Sequence, residues 1–171
     1  MTKYLALVCG LLFCAATTVN AQTSTLKFGH INSTQLLSLM PETKNADSTL
    51  QKFGSSLESQ LKTMSAEYQN KIADFKSKES SMAEPIRDAK MKEISDLEQR
   101  IQDFQESAQT SMQKKKEEIY SPVIKKAEDA IKAVAKEKEF SYIFDTSVGA
   151  VLFSQDSDDI MPLVKAKLGL K

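Results

Sequence analysis

The chain has 171 residues with 23 basic and 23 acidic side chains, and 41% of its residues are hydrophobic. At roughly 100–200 residues per domain, this length predicts one domain with room for an extension, and the hydrophobic content excludes a wholly disordered chain. The formal charge of zero argues against a nucleic-acid-binding protein, which needs a basic surface to neutralise phosphate.

The first element, residues 1–21, is a secretory signal peptide. Lys3 precedes a short apolar run over residues 4–16, and Val19-Asn20-Ala21 places a small residue where signal peptidase cleaves. The run is shorter than the ~20 residues that a membrane-spanning helix needs. Cleavage after Ala21 would leave 150 residues with a net charge of −1 and would remove both cysteines. We therefore expect an exported protein without disulfide bonds.

A short strand and a short helix follow. Residues 26–32 (LKFGHIN) alternate apolar and other side chains, which is typical of a strand. Ser33 or Thr34 is placed to cap a brief helix that runs to Met40, and we expect Pro41 to end this helix.

Residues 42–139 predict two very long helices that form a hairpin. In the first helix the apolar residues repeat every eleven positions, so they stay on one side of a nearly straight helix. This stripe consists of Leu50, Phe53, Leu57, Leu61, Met64, Tyr68, Ile72 and Phe75. Opposite charges recur at i,i+4 spacing along the same segment, which stabilises a solvated helix.

The second long helix follows a turn near residues 80–85. Pro85 suits its first turn, and the apolar pattern continues beyond Pro122, which predicts a kink there rather than an end. Helices of roughly 40 and 50 residues far exceed the mean of ~11–12 residues in compact domains. We therefore expect the hairpin to protrude as an arm.

The C-terminal residues predict a β-hairpin and a closing helix. Residues 140–145 (FSYIFD) and 150–153 (AVLF) are aromatic and β-branched runs around a turn at 146–149. A residue within 156–158 (DSD) would cap a last helix over about residues 160–168, which Gly169 ends. Because the first and last segments hold all the predicted strands, they must meet to form a sheet.

Residues that could perform catalysis or bind a cofactor are nearly absent. The glycines that follow the signal peptide are isolated from one another, which excludes a phosphate-binding or dinucleotide-binding loop. His30 is the single histidine, so a multi-histidine metal site is excluded, and an ordinary strand hydrogen bond is expected. A calcium loop starting at Asp156 would need glycine and glutamate where Met161 and Lys167 stand. We therefore expect no enzyme activity, no metal and no cofactor.

The chain resembles the Skp/OmpH family of periplasmic chaperones for outer-membrane proteins. Residues 26–40 (LKFGHINSTQLLSLM) are similar to the family's first strand and short helix. In the C-terminal part, the similarity lies in residues 130–137 (AIKAVAKE), 142–145 (YIFD), 151–153 (VLF) and 158–160 (DDI). These match the family's helix end, two strands and capped last helix in the same order.

The resemblance implies a mainly helical fold with a small β body, assembled as a jellyfish-like homotrimer. Residues 22–41 and 122–171 would form a β-rich trimerisation body, and residues 42–121 the helical-hairpin arm. The candidate body residues are Phe28, Ile31, Tyr142, Ile143, Phe144, Val151 and Phe153. Because so few strands cannot bury both faces of a sheet in one chain, neighbouring copies would supply the missing edges.

The resemblance further implies an ATP-independent holdase in the periplasm of a Gram-negative bacterium. Unfolded outer-membrane proteins would be held in a cavity between the arms, with transient contact to the membrane or to the outer-membrane assembly machinery. Adaptable methionine and aromatic side chains are the candidate client contacts. They are Met64, Tyr68, Met82, Met91, Phe104 and Met112, each of which also suits plain pairing of the two helices.

Two features leave an alternative open. The better-known members of the family are strongly basic, whereas this chain without its signal peptide has a net charge of −1, so no lipopolysaccharide site is assigned. An exported coiled-coil structural or adaptor protein of the cell envelope would also show two long helices. Such a protein would bind one partner tightly and would not protect unrelated clients.

Overall fold

The computed structural model describes residues 26–170, so the predicted signal peptide and both cysteines lie outside the described residues. Its elements are β1 (Phe28–Ile31), α1 (Ser33–Leu39), α2 (Pro41–Lys78), α3 (Glu84–Glu137), β2 (Tyr142–Asp145) and α4 (Met161–Leu168). Single 3-10 turns occupy Glu79–Ser81 and Asp156–Asp158. The two predicted long helices are confirmed as α2 and α3, with 38 and 54 residues.

A proline stands at the beginning of each of the two long helices. Pro85 stands in the first turn of α3. Backbone N–H groups in the first turn have no partner within the helix, so the N–H that proline lacks costs no hydrogen bond there. Pro41 separates α1 from α2 as expected, but it also begins α2 directly, because Met40 is extended and provides the bend. The helix α3 continues through Pro122.

The caps of the short helices differ from those predicted. The side chain of Asn32, rather than Ser33 or Thr34, caps α1 by accepting a hydrogen bond from the N–H of Gln35 (2.9 Å). At the start of α4, the carboxylate of Asp159 accepts from the N–H of Met161 (2.8 Å). The predicted end of α4 is confirmed, since Gly169 adopts the left-handed conformation with φ of 70°.

The helices α2 and α3 pack against each other as an antiparallel pair. Near the tip of this arm, Nζ of Lys71 lies 3.3 Å from Oε2 of Glu93. Near its base, Tyr120 donates to Asp47 and Lys126 pairs with Glu42. The contacts on α2 therefore advance along the chain as those on α3 recede, which only an antiparallel pair produces.

The last turns of α3 leave the arm and enter the core of the body. The core consists of Ile31, Leu36, Met40, Val123, Ala127, Ala130, Val134, Ile160, Met161 and Val164. Helices supply most of these side chains, and the two strands supply Ile31 alone. The described body is therefore mainly helical rather than β-rich, because strands of four residues offer too little surface to form a core by themselves.

The strands β1 and β2 form a parallel pair, with Phe28 opposite Tyr142 and Ile31 opposite Asp145. The last turns of α3 run back along the body, so β2 begins beside the beginning of β1. The N–H of Ser141 accordingly donates to the carbonyl of Lys27 (2.7 Å). A strand that is reached by a long helical crossover pairs in parallel.

The predicted β-hairpin of residues 140–145 and 150–153 is wrong, because residues 150–153 are not a strand. The second edge of β1 bridges Asp159, and the N–H of Ile160 donates to the carbonyl of His30 (3.0 Å). Both edges of β1 are thus occupied, and residues 146–158 form the loop that connects them. Leu152 and Phe153 are 98% and 83% exposed, since nothing within residues 26–170 packs over them.

Asp145 ties the end of β2 to the start of α1. Its carboxylate accepts hydrogen bonds from the N–H (3.1 Å) and hydroxyl (2.5 Å) of Ser33 and from the N–H of Ser147 (2.9 Å). Burial alone would raise the pKa of Asp145. The hydrogen bonds from Ser33 and Ser147 together outweigh burial and lower the pKa from 3.8 to about 2.

We predict that Asp145→Asn lowers the free energy of unfolding by about 2 kcal/mol at pH 7, the equivalent of this fall in pKa. A depressed pKa stabilises the fold above the ordinary pKa of 3.8, and this stability is lost as the pH falls through about 2. The two proteins should therefore converge near pH 2 in urea unfolding followed by circular dichroism. Asp96→Asn, at an exposed arm position, is the matched control. A difference that is the same at pH 7 and pH 2 would contradict this role.

Candidate functional site

The candidate functional site is the apolar seam between α2 and α3. All eight predicted stripe residues of α2, from Leu50 to Phe75, are half-buried, and none is fully buried. On α3, Leu97 is buried, whereas Ile101 and Phe104 are half-buried. The pairing of the two helices therefore leaves part of each apolar stripe accessible along the arm.

Two grooves lie beside this seam. The near-body groove has a volume of about 890 Å³, and its apolar lining consists of Leu50, Leu57, Leu61, Phe104, Ala108 and Met112. The near-tip groove has a volume of about 370 Å³, and its apolar lining consists of Ile72, Phe75, Met91 and Ile94.

Both grooves open on the same side of the arm. Leu50 and Leu61 line the near-body groove, and Ile72 lines the near-tip groove. These residues are spaced by eleven, which is close to three full turns, so they form one row along α2. The same spacing relates Gln109 of the near-body groove to Glu98 of the near-tip groove on α3. We call this side the apolar face.

A third groove, on the other side of the arm, is lined mainly by polar and charged residues, and we call it the polar groove. Ser59 lines this groove and stands nine residues after Leu50, about two and a half turns, so the two residues point to opposite sides. Glu93 lies 3.3 Å from Lys71 and 3.5 Å from Lys90, and the hydrogen bond from Lys71 is the largest cause that lowers the pKa of Glu93. Charges on this side therefore neutralise one another.

The six predicted client contacts divide into two sets. Phe104 and Met112 line the near-body groove, and Met91 lines the near-tip groove. Met64, Tyr68 and Met82 are half-buried and line neither groove. The structure thus brings half of the predicted residues into the grooves.

Sequence reasoning did not select the leucines and isoleucine of α2 as contacts. Leu50, Leu61 and Ile72 line the grooves, whereas the sequence pattern identifies them only as members of the stripe. Their eleven-residue spacing was the signal that could have identified them, because it places all three on one row.

The predicted body residues lie on both faces of the small sheet. Ile31 is buried, and Ile143 packs against the core. On the other face, the rings of Phe28, Tyr142 and Phe144 lie with centroids 5.8 to 6.4 Å apart and remain about half-exposed. We call these three rings the aromatic surface. The remaining two candidates are in the loop, where Val151 is half-buried and Phe153 is exposed.

His30, the single histidine of the chain, has a structural partner in the body. Nε2 of His30 lies 3.0 Å from the carbonyl oxygen of Gln155, an ordinary hydrogen bond. Within residues 26–170, no group of three or more His, Cys, Asp or Glu side chains is arranged to hold a metal ion. Over the same range, no helix combines the length and apolar character needed to cross a membrane.

Known proteins match both the sequence and the fold. The sequence profile of the family described as "Outer membrane protein (OmpH-like)" matches residues 27–168. A crystal structure from Caulobacter crescentus CB15, described as a candidate outer membrane chaperone (OmpH-like), superposes with a TM-score of 0.73. The two chains are 16% identical, and the match covers 84% of this chain and 83% of that one, which shows a shared fold. No curated protein matches the chain.

We predict that Gly54→Ala stabilises the arm by about 0.5–1 kcal/mol, because alanine loses less backbone entropy than glycine in a helix. A Cβ at Gly54 would meet Cε of Met112 at an ordinary contact distance of 3.6 Å. Thermal unfolding followed by circular dichroism measures the change.

The same substitution at Gly29 is the matched control and should have the opposite sign. A Cβ there would lie 2.9 Å from Cε1 of Phe140 and 3.0 Å from Cγ2 of Ile160, so the body must shift. Overpacking of this kind costs about 1–3 kcal/mol. A loss of stability in Gly54→Ala would contradict the open geometry of the near-body groove.

Proposed function

Because the chain belongs to the OmpH-like family, we propose that it is a holdase chaperone of the periplasm. It binds unfolded outer-membrane proteins without ATP and prevents their aggregation before they insert into the membrane. The observation that carries this proposal is the apolar face of the arm, along which the stripe of α2 from Leu50 to Phe75 is only half-buried and stays partly accessible. Contiguous exposed apolar surface on a soluble protein marks an interaction site.

The chemistry of the clients fits such a surface. Transmembrane β-strands alternate apolar and polar residues, so an unfolded barrel exposes many short apolar stretches that aggregate. Binding them requires many weak contacts with side chains that adapt to different shapes, as Met91 and Met112 in the two grooves can. Release needs no nucleotide, because folding into the membrane is the more favourable state for the client.

We also propose that the body, residues 22–41 and 122–171, assembles three copies of the chain through its aromatic surface. Phe28, Tyr142 and Phe144 are 45%, 58% and 48% exposed, an unusual condition for three contacting rings. Assembly would cover these rings and place three arms, each formed by residues 42–121, around one cavity. Three arms that hold one client raise its affinity through effective concentration.

We predict that replacing the six candidate contacts by serine weakens client binding at least tenfold. The variant combines Met64→Ser, Tyr68→Ser, Met82→Ser, Met91→Ser, Phe104→Ser and Met112→Ser. A loss of about half a kcal/mol at each site already exceeds the ~1.4 kcal/mol of a tenfold change. Light scattering of a urea-diluted outer-membrane β-barrel, with and without the protein, measures the protection.

Circular dichroism must show that the arms of this variant remain helical. Leu39→Ser together with Leu163→Ser, at exposed apolar positions of the body, is the control for serine substitution and should keep full protection. Raising the ionic strength from about 0.01 M to about 0.15 M should weaken binding only slightly, since screening acts on charges that are already paired. A collapse of affinity over this range, or tight binding to one partner without protection of clients, would contradict the proposal.

We predict that Tyr142→Ser together with Phe144→Ser dissociates the trimer, because these are two of the three rings of the aromatic surface through which the body would assemble. Multi-angle light scattering of the full mature chain should shift towards the mass of one copy. Ile86→Ser, at a position of similar exposure near the tip of the arm, is the control and should leave the mass unchanged. An unchanged mass in the double variant would exclude the aromatic surface as the contact.

A further inference from the structure

The near-body and near-tip grooves are separate sites on one face. Between them, residues 62–71 of α2 and 99–103 of α3 line neither groove. Leu97 lies beside this stretch and is only 2% exposed, so the two helices pack closely there. A ligand that fills both grooves must therefore span a part of the seam that has no groove on this face.

The distance between the grooves follows from the rise of the helices. Their midpoints are about 20 residues apart on α2 and about 17 residues apart on α3. At ~1.5 Å per residue, the grooves are about 26 to 30 Å apart. In an extended strand at ~3.3 Å per residue, two side chains eight positions apart point to the same side and are about 26 Å apart.

The two grooves offer the same chemistry. Phe104 and Met112 line the near-body groove, and Phe75 and Met91 line the near-tip groove. A phenylalanine ring and a methionine sulfur both make favourable contacts with an aromatic ring. Each groove therefore suits one aromatic side chain of a ligand.

The charges at the rims fit an uncharged ligand. Glu58 and Lys116 line the near-body groove and have opposite signs. Lys76 lines the near-tip groove together with Glu79 and Glu98. The near-body rim is balanced and the near-tip rim has one more acidic than basic side chain, which is too small an excess to select a strongly charged peptide.

We infer that one arm binds one extended segment as long as a transmembrane β-strand, with one aromatic side chain in each groove. A transmembrane strand has about 9–11 residues and ends in an aromatic girdle on either side of an apolar band about 25 Å tall. At ~3.3 Å per residue, the first and last residues of such a strand are about 26 to 33 Å apart, so its length matches the spacing of the grooves. This inference rests on the proposed holdase function and states which feature of the client the arm recognises.

The test uses two fluorescein-labelled peptides of eleven residues and identical composition. Both alternate valine and threonine, and both contain two tyrosines, placed either at positions 2 and 10 or at positions 4 and 6. Fluorescence anisotropy with the full mature protein measures their affinities. The peptide with widely spaced tyrosines should bind at least tenfold more tightly, because only its tyrosines can reach both grooves at once.

Three variants then locate the binding. Gly54→Leu fills the near-body groove and Ser95→Phe fills the near-tip groove, and each should abolish the tenfold preference. Asn70→Phe places the same added ring in the polar groove and should keep the preference. A preference that survives both groove-filling variants would overturn the inference.

Three further outcomes separate this inference from the function on which it rests. Equal affinities for the two peptides, with full protection of an unfolded barrel, would overturn the inference and leave the holdase function standing. A change in oligomeric mass in Gly54→Leu or Ser95→Phe would show that the arm of another copy fills the grooves, which would also overturn it. If the unmodified protein fails to prevent aggregation of an unfolded barrel, the proposed holdase function itself is contradicted.

Discussion

Two helices that pack as a pair can bury only the sides that face each other. This limit determines how much apolar surface of the arm stays accessible. In the described part of the chain, α2 and α3 extend far beyond the body and have each other as packing partners. A bundle of four helices would cover an apolar stripe from two sides, whereas here the stripe from Leu50 to Phe75 is covered from one side. The arm is thus a folded element that keeps apolar surface accessible.

The body anchors the arm, because α3 belongs to both. The helix α3 runs unbroken from the arm through Pro122 into the core, where Val123 and Val134 are buried. At the junction, Lys126 pairs with Glu42 and lowers its pKa, and Asp47 accepts from Tyr120 and raises the phenol's pKa. Because one helix belongs to both parts, the position of the body determines where the apolar face of the arm points.

Charged side chains on the opposite side of the arm keep it hydrated although one face is apolar. Polar and paired side chains cover the opposite side of the arm, where Lys71 contacts both Glu67 and Glu93. Pairs of this kind at exposed positions contribute little to stability, typically 0–1 kcal/mol each. Their importance is that they keep the arm hydrated while leaving no strong field, so contact with a partner depends on apolar surface.

The sequence by itself determined the elements whose signals are local. The eleven-residue repeat, Pro85 and Gly169 were sufficient for the long helices and for the end of α4, because periodicity and backbone restrictions act within a few turns. Only the tertiary structure decided that β1 pairs on both edges, that residues 150–153 are a loop, and that the seam opens into two grooves. A hydrophobic pattern shows which side of an element is apolar, but which distant segment covers that side, and how completely, depends on where the chain returns.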